Sequence, residues 1–375
     1  MSAPARRVST RAAGWVATGQ GEAPLRESLR SVSCLLKTNC PDVYEAESLG
    51  FGFRRERVEG VAADRTLVRL LCGSWARYFG HGSGGFPRIF PGRSRHPLMD
   101  IYYQTLPPSA YLRPFIREHL LLDVTAGPGE VVPAKVLAAN TEQCLVFYLR
   151  GHVTAVDAAS GASAVYAPTA LNGTQLSRFD MYITSRFRML SVQFQPGVMS
   201  KFLRLPLAGF TNERIDAEAV LAAEIRQVQE QLVNAPSYAA LIEQAEAYLW
   251  RRIQRLRIAF APFDRALLAL AAQPQSYALD QLAQDACLSV SQLERRFRQQ
   301  LGVGPKLFGR ICRFSQAHAL KQERPALDWL QVAVECGYYD YQHLVKDFRQ
   351  FAHATPPALL LAQAQAPDRL ARRPR

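Results

Sequence analysis

Three things are missing from this sequence, and each absence closes off a class of protein. A helical membrane span needs about 18 or more consecutive apolar residues, and the greasy runs here, such as CLVFYL at 144–149, are far shorter. No apolar stretch follows the basic first residues either, so neither a secretory leader nor a membrane partner is expected. Paired cysteines are also missing. The seven, Cys34, Cys40, Cys72, Cys144, Cys287, Cys312 and Cys336, are odd in number, scattered and without a C-x-x-C pair. That excludes a zinc ribbon or a disulfide framework and leaves a cytoplasmic chain with reduced thiols as the expectation. The third shortage is acid: 32 Asp and Glu stand against 45 Lys and Arg, a net charge of +13. This excludes a strongly acidic disordered protein and favours an anionic partner, nucleic acid above all.

Catalytic signatures are absent too. There is no G-x-S-x-G elbow, no Walker loop and no dinucleotide fingerprint, and GSGG at 82–85 lies in no strand-to-helix frame. His119 and His152 are the only histidines between residues 99 and 263. A metal site needs several such ligands converging on one ion, so no metal and no cofactor is expected. Cys144 sits in an apolar run and reads as a small buried hydrophobe. Cys287 and Cys336 start two similar turns and read as packing, with a redox role as the minority reading.

What is present is organised by charge. Residues 1–98 hold 15 basic and 8 acidic residues, residues 99–263 hold 15 and 14, and residues 264–375 hold 15 and 10, so a near-neutral middle is flanked by two basic regions. Glycine and proline interrupt the first segment, which reads as a disordered basic stretch, with Met99 as a candidate true start. Residues 99–215 are β-rich: CLVFYL at 144–149, HVTAV at 152–156 and RMLSVQF at 188–194 are strands separated by turn chemistry, as in a small sandwich or barrel. Residues 216–258 switch to helical period. One stripe is Leu221, Ile225, Val228 and Leu232; a second is Ile242, Ala245, Leu249, Ile253 and Leu256, with Arg251, Arg252, Arg255 and Arg257 crowding its end. Such stripes usually pack on their own domain; a homodimer seam is the sharper reading. Residues 361–375 read as a basic disordered tail.

An internal repeat dominates the C-terminal third. ALDQL from 278 matches ALDWL from 326, LERRFRQ from 293 matches LVKDFRQ from 344, and Pro305 matches Pro356. The offset grows from 48 to 51, which predicts a turn three residues longer in the second copy. Each copy is a pair of helices joined by a tight turn, the helix-turn-helix pattern. In the first, Leu279, Leu282 and Ala286 point inward, Ser289 caps the second helix, Leu293 and Phe297 face the core, and Gly302 ends it. The outer face then carries Ser291, Gln292, Arg295, Arg298 and Gln299. In the second copy Leu327, Leu330, Val334 and Cys336 pack, Gly337 turns the chain and Asp340 caps a helix that buries Leu344 and Phe348. Arg can pair with guanine edges and Gln with adenine. A long helix from Pro305 joins the copies, spacing two readers for successive major grooves of one duplex.

These motifs identify the region. LSVSQLERRF from 288, GVGPK from 302, CGYYDYQHL from 336, TPP from 355 and RICRFSQA from 310 make residues 264–360 resemble the AraC/XylS family of transcription regulators. One departure is His353-Ala354, where the family usually has glycine before the last Thr-Pro. The resemblance implies base contacts from Ser291, Gln292, Glu294 and Arg295 on the first helix and from Tyr341, Gln342, His343 and Lys346 on the second. Arg296, Arg298, Lys306, Arg310, Arg313 and Arg349 are expected at phosphates. The middle region more loosely resembles the family's cupin-like sensor domain. The expected architecture is therefore α+β and multidomain: a cupin-like barrel with a two-helix extension, then an all-α double helix-turn-helix domain. The expected function is a DNA-binding transcription regulator and activator, not an enzyme. Its expected partners are double-stranded promoter DNA, RNA polymerase, a small-molecule effector and a second copy of the chain. The alternative is a cupin-type enzyme with an accessory DNA-binding domain.

Overall fold

Alternation of apolar and polar residues over 99–194 builds strands whose two faces are buried against different layers. In a computed structural model, which describes residues 92–96 and 99–372, eleven strands form two antiparallel sheets. The larger runs in the order β1 (Gly92–His96), β2 (Met99–Leu106), β3 (Ile116–Ala126), β10 (Arg186–Phe194), β5 (Cys144–Arg150), β8 (Thr169–Asn172) and β11 (Arg214–Asp216). The smaller runs β4 (Lys135–Leu137), β9 (Phe179–Ile183), β6 (Val153–Asp157) and β7 (Ser163–Val165). The expected barrel is thus an open two-sheet stack. Closure needs edges long enough to zip together, and β4, β7 and β11 have three residues each. Leu122, Val124, Val146, Tyr148 and Phe187 fill the space between the sheets.

The other face of the larger sheet is covered by helices. After α1 (Val198–Leu203) and α2 (Ala217–Leu221) come α3 (Ala223–Val233) and α4 (Tyr238–Leu256), the two-helix extension. Ile225, Val228 and Leu232 of α3 and Leu241, Ala245, Tyr248, Leu249 and Ile253 of α4 share one core with Phe147, Leu190 and Val192. Each fully buried large side chain stabilises by roughly 1.5–3 kcal/mol. This stripe therefore packs on its own domain, with Ile242 and Leu256 only partly buried. The crowded arginines have partners as well: Arg252 and Arg255 meet Glu224 of α3 at 3.1 and 2.9 Å. His119, fully buried on β3, bonds Glu246 of α4 at 2.9 Å, and Glu246 also accepts from the Ser109 backbone N–H at 2.9 Å. Burial works against the Glu246 carboxylate, but these hydrogen bonds hold its pKa below the ordinary value. His152 is exposed beside a turn, so the two histidines do not converge. Among the described residues no group of three or more His, Cys, Asp or Glu could hold a metal ion, and no helix is long and apolar enough to cross a membrane.

Two boundaries differ from expectation. Most of residues 1–98 lie outside the described residues, but Gly92–His96 pairs in register with β2 and belongs to the larger sheet. The expected disordered tail is also a folded end. Past α11 (Pro356–Gln363), α12 (Pro367–Arg372) begins at a proline, buries Leu370 in the inter-sheet core and places Asp368 3.5 Å from Lys135. A short amphipathic segment can order itself once an apolar anchor finds a core, which bulk charge does not reveal.

The helical domain contains α5 (Pro262–Ala272), α6 (Leu279–Asp285), α7 (Val290–Leu301), α8 (Pro305–Glu323), α9 (Trp329–Glu335) and α10 (Tyr341–Ala352). One rod serves two cores. Phe308 and Cys312 of α8 pack with Leu282, Ala283, Leu293 and Phe297; Ile311, Phe314 and Ala317 pack with Val332, Ala333, Leu344 and Phe348. The repeat register needs correction. α6 and α9 lie 50 residues apart, not 48, so the second turn is longer by one residue rather than three. Cys287 (φ 54°) then matches Gly337 (φ 69°), and Cys336 matches Ala286. In this register Leu330 and Val334 sit opposite the buried Val332, Ala333 and Cys336, and are 56% and 65% exposed instead of packed.

Candidate nucleic-acid interface

The first candidate reading helix, α7, is fixed at both ends. Ser289 caps it: the Gln292 backbone N–H donates to the Ser289 hydroxyl at 3.3 Å, and Gln292 Oε1 accepts from the Ser289 backbone N–H at 2.9 Å. That reciprocal box takes the carbonyl oxygen of Gln292 and leaves its amide NH2 for other work. Leu293 and Phe297 are fully buried, so Ser291, Gln292, Arg295, Arg298 and Gln299 are turned outward and exposed. Glu294 is half-buried and pairs with Arg298 at 3.4 Å. Arg296 leaves the outer face altogether, its guanidinium carbon lying 5.6 Å from the Phe263 ring centroid.

The last turn of α7 is capped by the β-rich domain. Its orphan carbonyls would otherwise lack partners. Gln299 accepts from the Leu207 backbone N–H at 2.7 Å, Gln300 from the Gln143 side-chain amide at 2.9 Å, Leu301 from the Thr174 hydroxyl at 2.7 Å, and Gly302 from the Thr211 hydroxyl at 3.3 Å. Gly302 ends the helix at φ 77°, and a Cβ there would stand 2.4 Å from the Thr211 hydroxyl. Lys201 of α1 adds an ion pair to Asp264 of α5 at 2.7 Å.

The second candidate helix, α10, is capped by Asp340, which accepts from the His343 backbone N–H at 2.7 Å. Gln342, Lys346 and Arg349 are exposed, while Tyr341 and His343 are half-buried. His343 lies edge-on to Tyr338, ring centroids 5.2 Å apart. Beneath this face is a residue the sequence reading missed. Asp347 is fully buried, pairs with Arg310 at 2.6 Å and Arg313 at 3.7 Å, and accepts from the Tyr338 hydroxyl at 3.2 Å. Arg310 also donates to Gln350 at 2.8 Å, and Arg313 lies 4.4 Å from the Tyr338 ring centroid. Arg310 and Arg313, two of the cations expected at phosphates, therefore bind α8 to α10. Of the expected phosphate set, Arg298, Lys306 and Arg349 are exposed. The period could have flagged Asp347, since it falls between the two inward residues Leu344 and Phe348; the missing signal was which cations would reach it.

Three thiols are poorly suited to reaction. Burial pushes Cys144 and Cys336 up to about 11 and Cys312 up to about 12, so little thiolate is present at neutral pH.

Residues 282–361 match the family of helix-turn-helix domains, and residues 104–216 match a family described as a domain of unknown function. The chain is similar to an uncharacterized HTH-type transcriptional regulator of Haemophilus influenzae, 31% identical over 131 residues, covering 33% of this chain. That similarity spans only 43% of the relative's length. Among solved structures the chain is similar to ToxT from Vibrio cholerae O395: 12% identity, 62% of this chain, 95% of that one, TM-score 0.38. It is also similar to the AraC-like transcriptional activator CuxR, at 12% identity over 62% of this chain and 86% of that one, with a TM-score of 0.26.

Proposed function

Since the C-terminal domain is an AraC-type helix-turn-helix domain, we propose that the whole chain is a cytoplasmic, sequence-specific regulator of transcription that reads promoter DNA through α7 and α10. One observation carries this reading: two capped helices, held by a single rod, each present an exposed polar and basic face. Such helices enter neighbouring major grooves when their separation matches one turn of duplex, roughly 34 Å. Arg295 and Lys346, both exposed, read base edges in this scheme, helped by Ser291, Gln342 and the side-chain amide of Gln292. Glu294, tied to Arg298, and the half-buried Tyr341 and His343 shape the edges of the same faces. Arg298, Lys306 and Arg349 supply phosphate contacts, with Arg296, Arg310 and Arg313 holding the helices in place.

The β-rich domain acts as the sensor, taking a small-molecule effector and passing its state to the reader through the shared contacts along α7. The regulator activates, with RNA polymerase as a partner. Assembly into a homodimer uses a surface other than the α3 and α4 stripe. Selection of bound duplexes from a random pool, with the full chain, tests the core of this reading. The expected result is a bipartite motif with halves about 10 base pairs apart; no enrichment over input would defeat it. Within that motif, Arg295→Ala is expected to relax preference at one base pair by roughly 1–3 kcal/mol. Competition binding against single-base variants checks it: equal weakening on every variant would remove Arg295 from base reading.

A further inference from the structure

The turns of the two helix-turn-helix copies differ by one residue, and the backbone fixes which residue it is. In the first turn the Leu288 N–H donates to the Ala283 carbonyl at 2.9 Å. In the second the Tyr338 N–H donates to the Ala333 carbonyl at 2.9 Å, both atoms still 50 residues on. The caps that follow, Ser289 and Asp340, are 51 residues apart. The added residue therefore lies between Tyr338 and Asp340, and it is Tyr339. Both of its neighbours are tied down. Tyr338 is 4% exposed, its hydroxyl donates to Asp347 at 3.2 Å, and the Arg313 guanidinium lies over its ring. Asp340 accepts from the His343 backbone N–H at 2.7 Å. Between these fixed points the Tyr339 side chain is 92% exposed, the most exposed of the large apolar and aromatic side chains among the described residues. One tyrosine holds the turn and the next stands out from it. The fold itself does not call for a ring there, since the first copy joins its two helices without the residue.

Its place decides what Tyr339 can meet. A reading helix enters the major groove with its N-terminal residues at base edges. The residue just ahead of the N-cap then stands at the rim of the groove, where the sugar-phosphate backbone runs. A tyrosine suits that rim: the hydroxyl donates to a phosphate oxygen, and the ring covers the apolar side of a deoxyribose. Asp340 cannot take this part, because an ionised carboxylate only accepts hydrogen bonds and carries the same charge as the phosphate. The first reading helix has no equivalent side chain, for its cap Ser289 follows directly on the half-buried Leu288.

We propose that Tyr339 is a phosphate anchor peculiar to the second reading helix: its hydroxyl donates to the DNA backbone beside the half-site that α10 reads. The anchor rests on the reading of DNA by α10 proposed above, and it adds a neutral contact to a set of phosphate contacts otherwise made of cations.

Tyr339→Phe in the full chain tests it, with a duplex carrying the selected motif as the probe. The variant removes only an exposed hydroxyl, so its melting temperature is expected to match that of the unsubstituted chain. Its affinity for the duplex is expected to fall roughly tenfold, the loss of one hydrogen bond to a charged group. The slope of log affinity against log salt is expected to stay the same, because a neutral hydroxyl releases no counterion. Ethylation interference then locates the contact. Ethylating one phosphate beside the second half of the motif should weaken the unsubstituted chain, and that interference should shrink in Tyr339→Phe while the rest of the pattern stays. Equal affinity of the two chains overturns the anchor, and so does a weaker Tyr339→Phe with the interference pattern unchanged. In both cases the unsubstituted chain still binds its motif, so the reading by α10 survives. If the unsubstituted chain selects no duplex at all, that reading fails and the anchor falls with it.

Discussion

Arg310→Ala is expected to loosen the second reading head, lowering the unfolding free energy by about 1–3 kcal/mol, rather than to remove a phosphate contact. The cause is Asp347, fully buried beneath α10. Arg310 is its nearer cation at 2.6 Å, and Arg313 at 3.7 Å with the Tyr338 hydroxyl at 3.2 Å is all that remains once Arg310 is gone. A buried carboxylate short of partners costs more than a neutral group in the same place. The Arg310 side chain is 35% exposed, so solvent already screens part of the pairing and the effect stays below the full cost of an isolated buried charge. Two further variants isolate the mechanism. Asp347→Asn in the Arg310→Ala background removes the stranded charge and is expected to recover part of the lost stability. Lys306→Ala, at an exposed position on the same rod, is expected to leave the melting temperature alone and to flatten the slope of log affinity against log salt by about one. Thermal melts and salt titrations of the three variants decide between roles. If Arg310→Ala melts like the unsubstituted chain while its salt slope falls, Arg310 belongs to the DNA contact after all.

The contrast between Arg310 and Lys306 marks where sequence pattern stops being informative. Helical period placed Leu293, Phe297, Leu344 and Phe348 inside, and all four are fully buried. The caps at Ser289 and Asp340 and the stop at Gly302 follow from local chemistry, because each is satisfied within a turn of chain. The loop-to-loop register was less legible. ALDQL and ALDWL align as letters, but α6 begins at Leu279 and α9 only at Trp329, after its Asp328 cap. That displacement turned Leu330 and Val334 outward, against expectation. Least legible was anything joining residues far apart in the chain. Asp347 reaches 37 residues back to Arg310, and Gln143 reaches 157 residues forward to the end of α7. Charge on a helix announces a solvated face only until a partner from another element claims it. The same limit explains the folded end at 367–372, whose anchor Leu370 is one apolar residue among arginines and needs a core supplied by distant strands.

That long reach leads to the other large expected effect, Gln143→Leu, which should disable one reading head and spare the other. Gln143, 1% exposed, spans two backbones: its amide donates to the Gln300 carbonyl at 2.9 Å, and its oxygen accepts from the Gly197 N–H at 3.3 Å. Leucine keeps the bulk and orphans both groups, at about 1–3 kcal/mol for each. The approach is too close for a simple rearrangement, since a Cβ on Gly197 would stand 2.9 Å from Gln300 Oε1 and 3.0 Å from Leu267. Relief has to come from separating α7 from the β-rich domain, which releases the other caps at Leu207 and Thr174 in turn. The second head is held differently. Its contacts with the same segment are the backbone bond from the Ala139 N–H to the Phe351 carbonyl at 2.8 Å and the packing of Val136 and Ala139 into its core, and a side-chain change at 143 touches neither. On a duplex carrying both half-sites, affinity is therefore expected to fall roughly tenfold or more, about 1.4 kcal/mol per decade. Footprinting should show protection lost under α7 and kept under α10. Thr174→Val, which removes one hydroxyl bond to Leu301, should give a weaker form of the same pattern. Equal loss over both halves would mean that Gln143 supports the whole fold, and an unchanged footprint would mean that the β-rich domain does not position the reader.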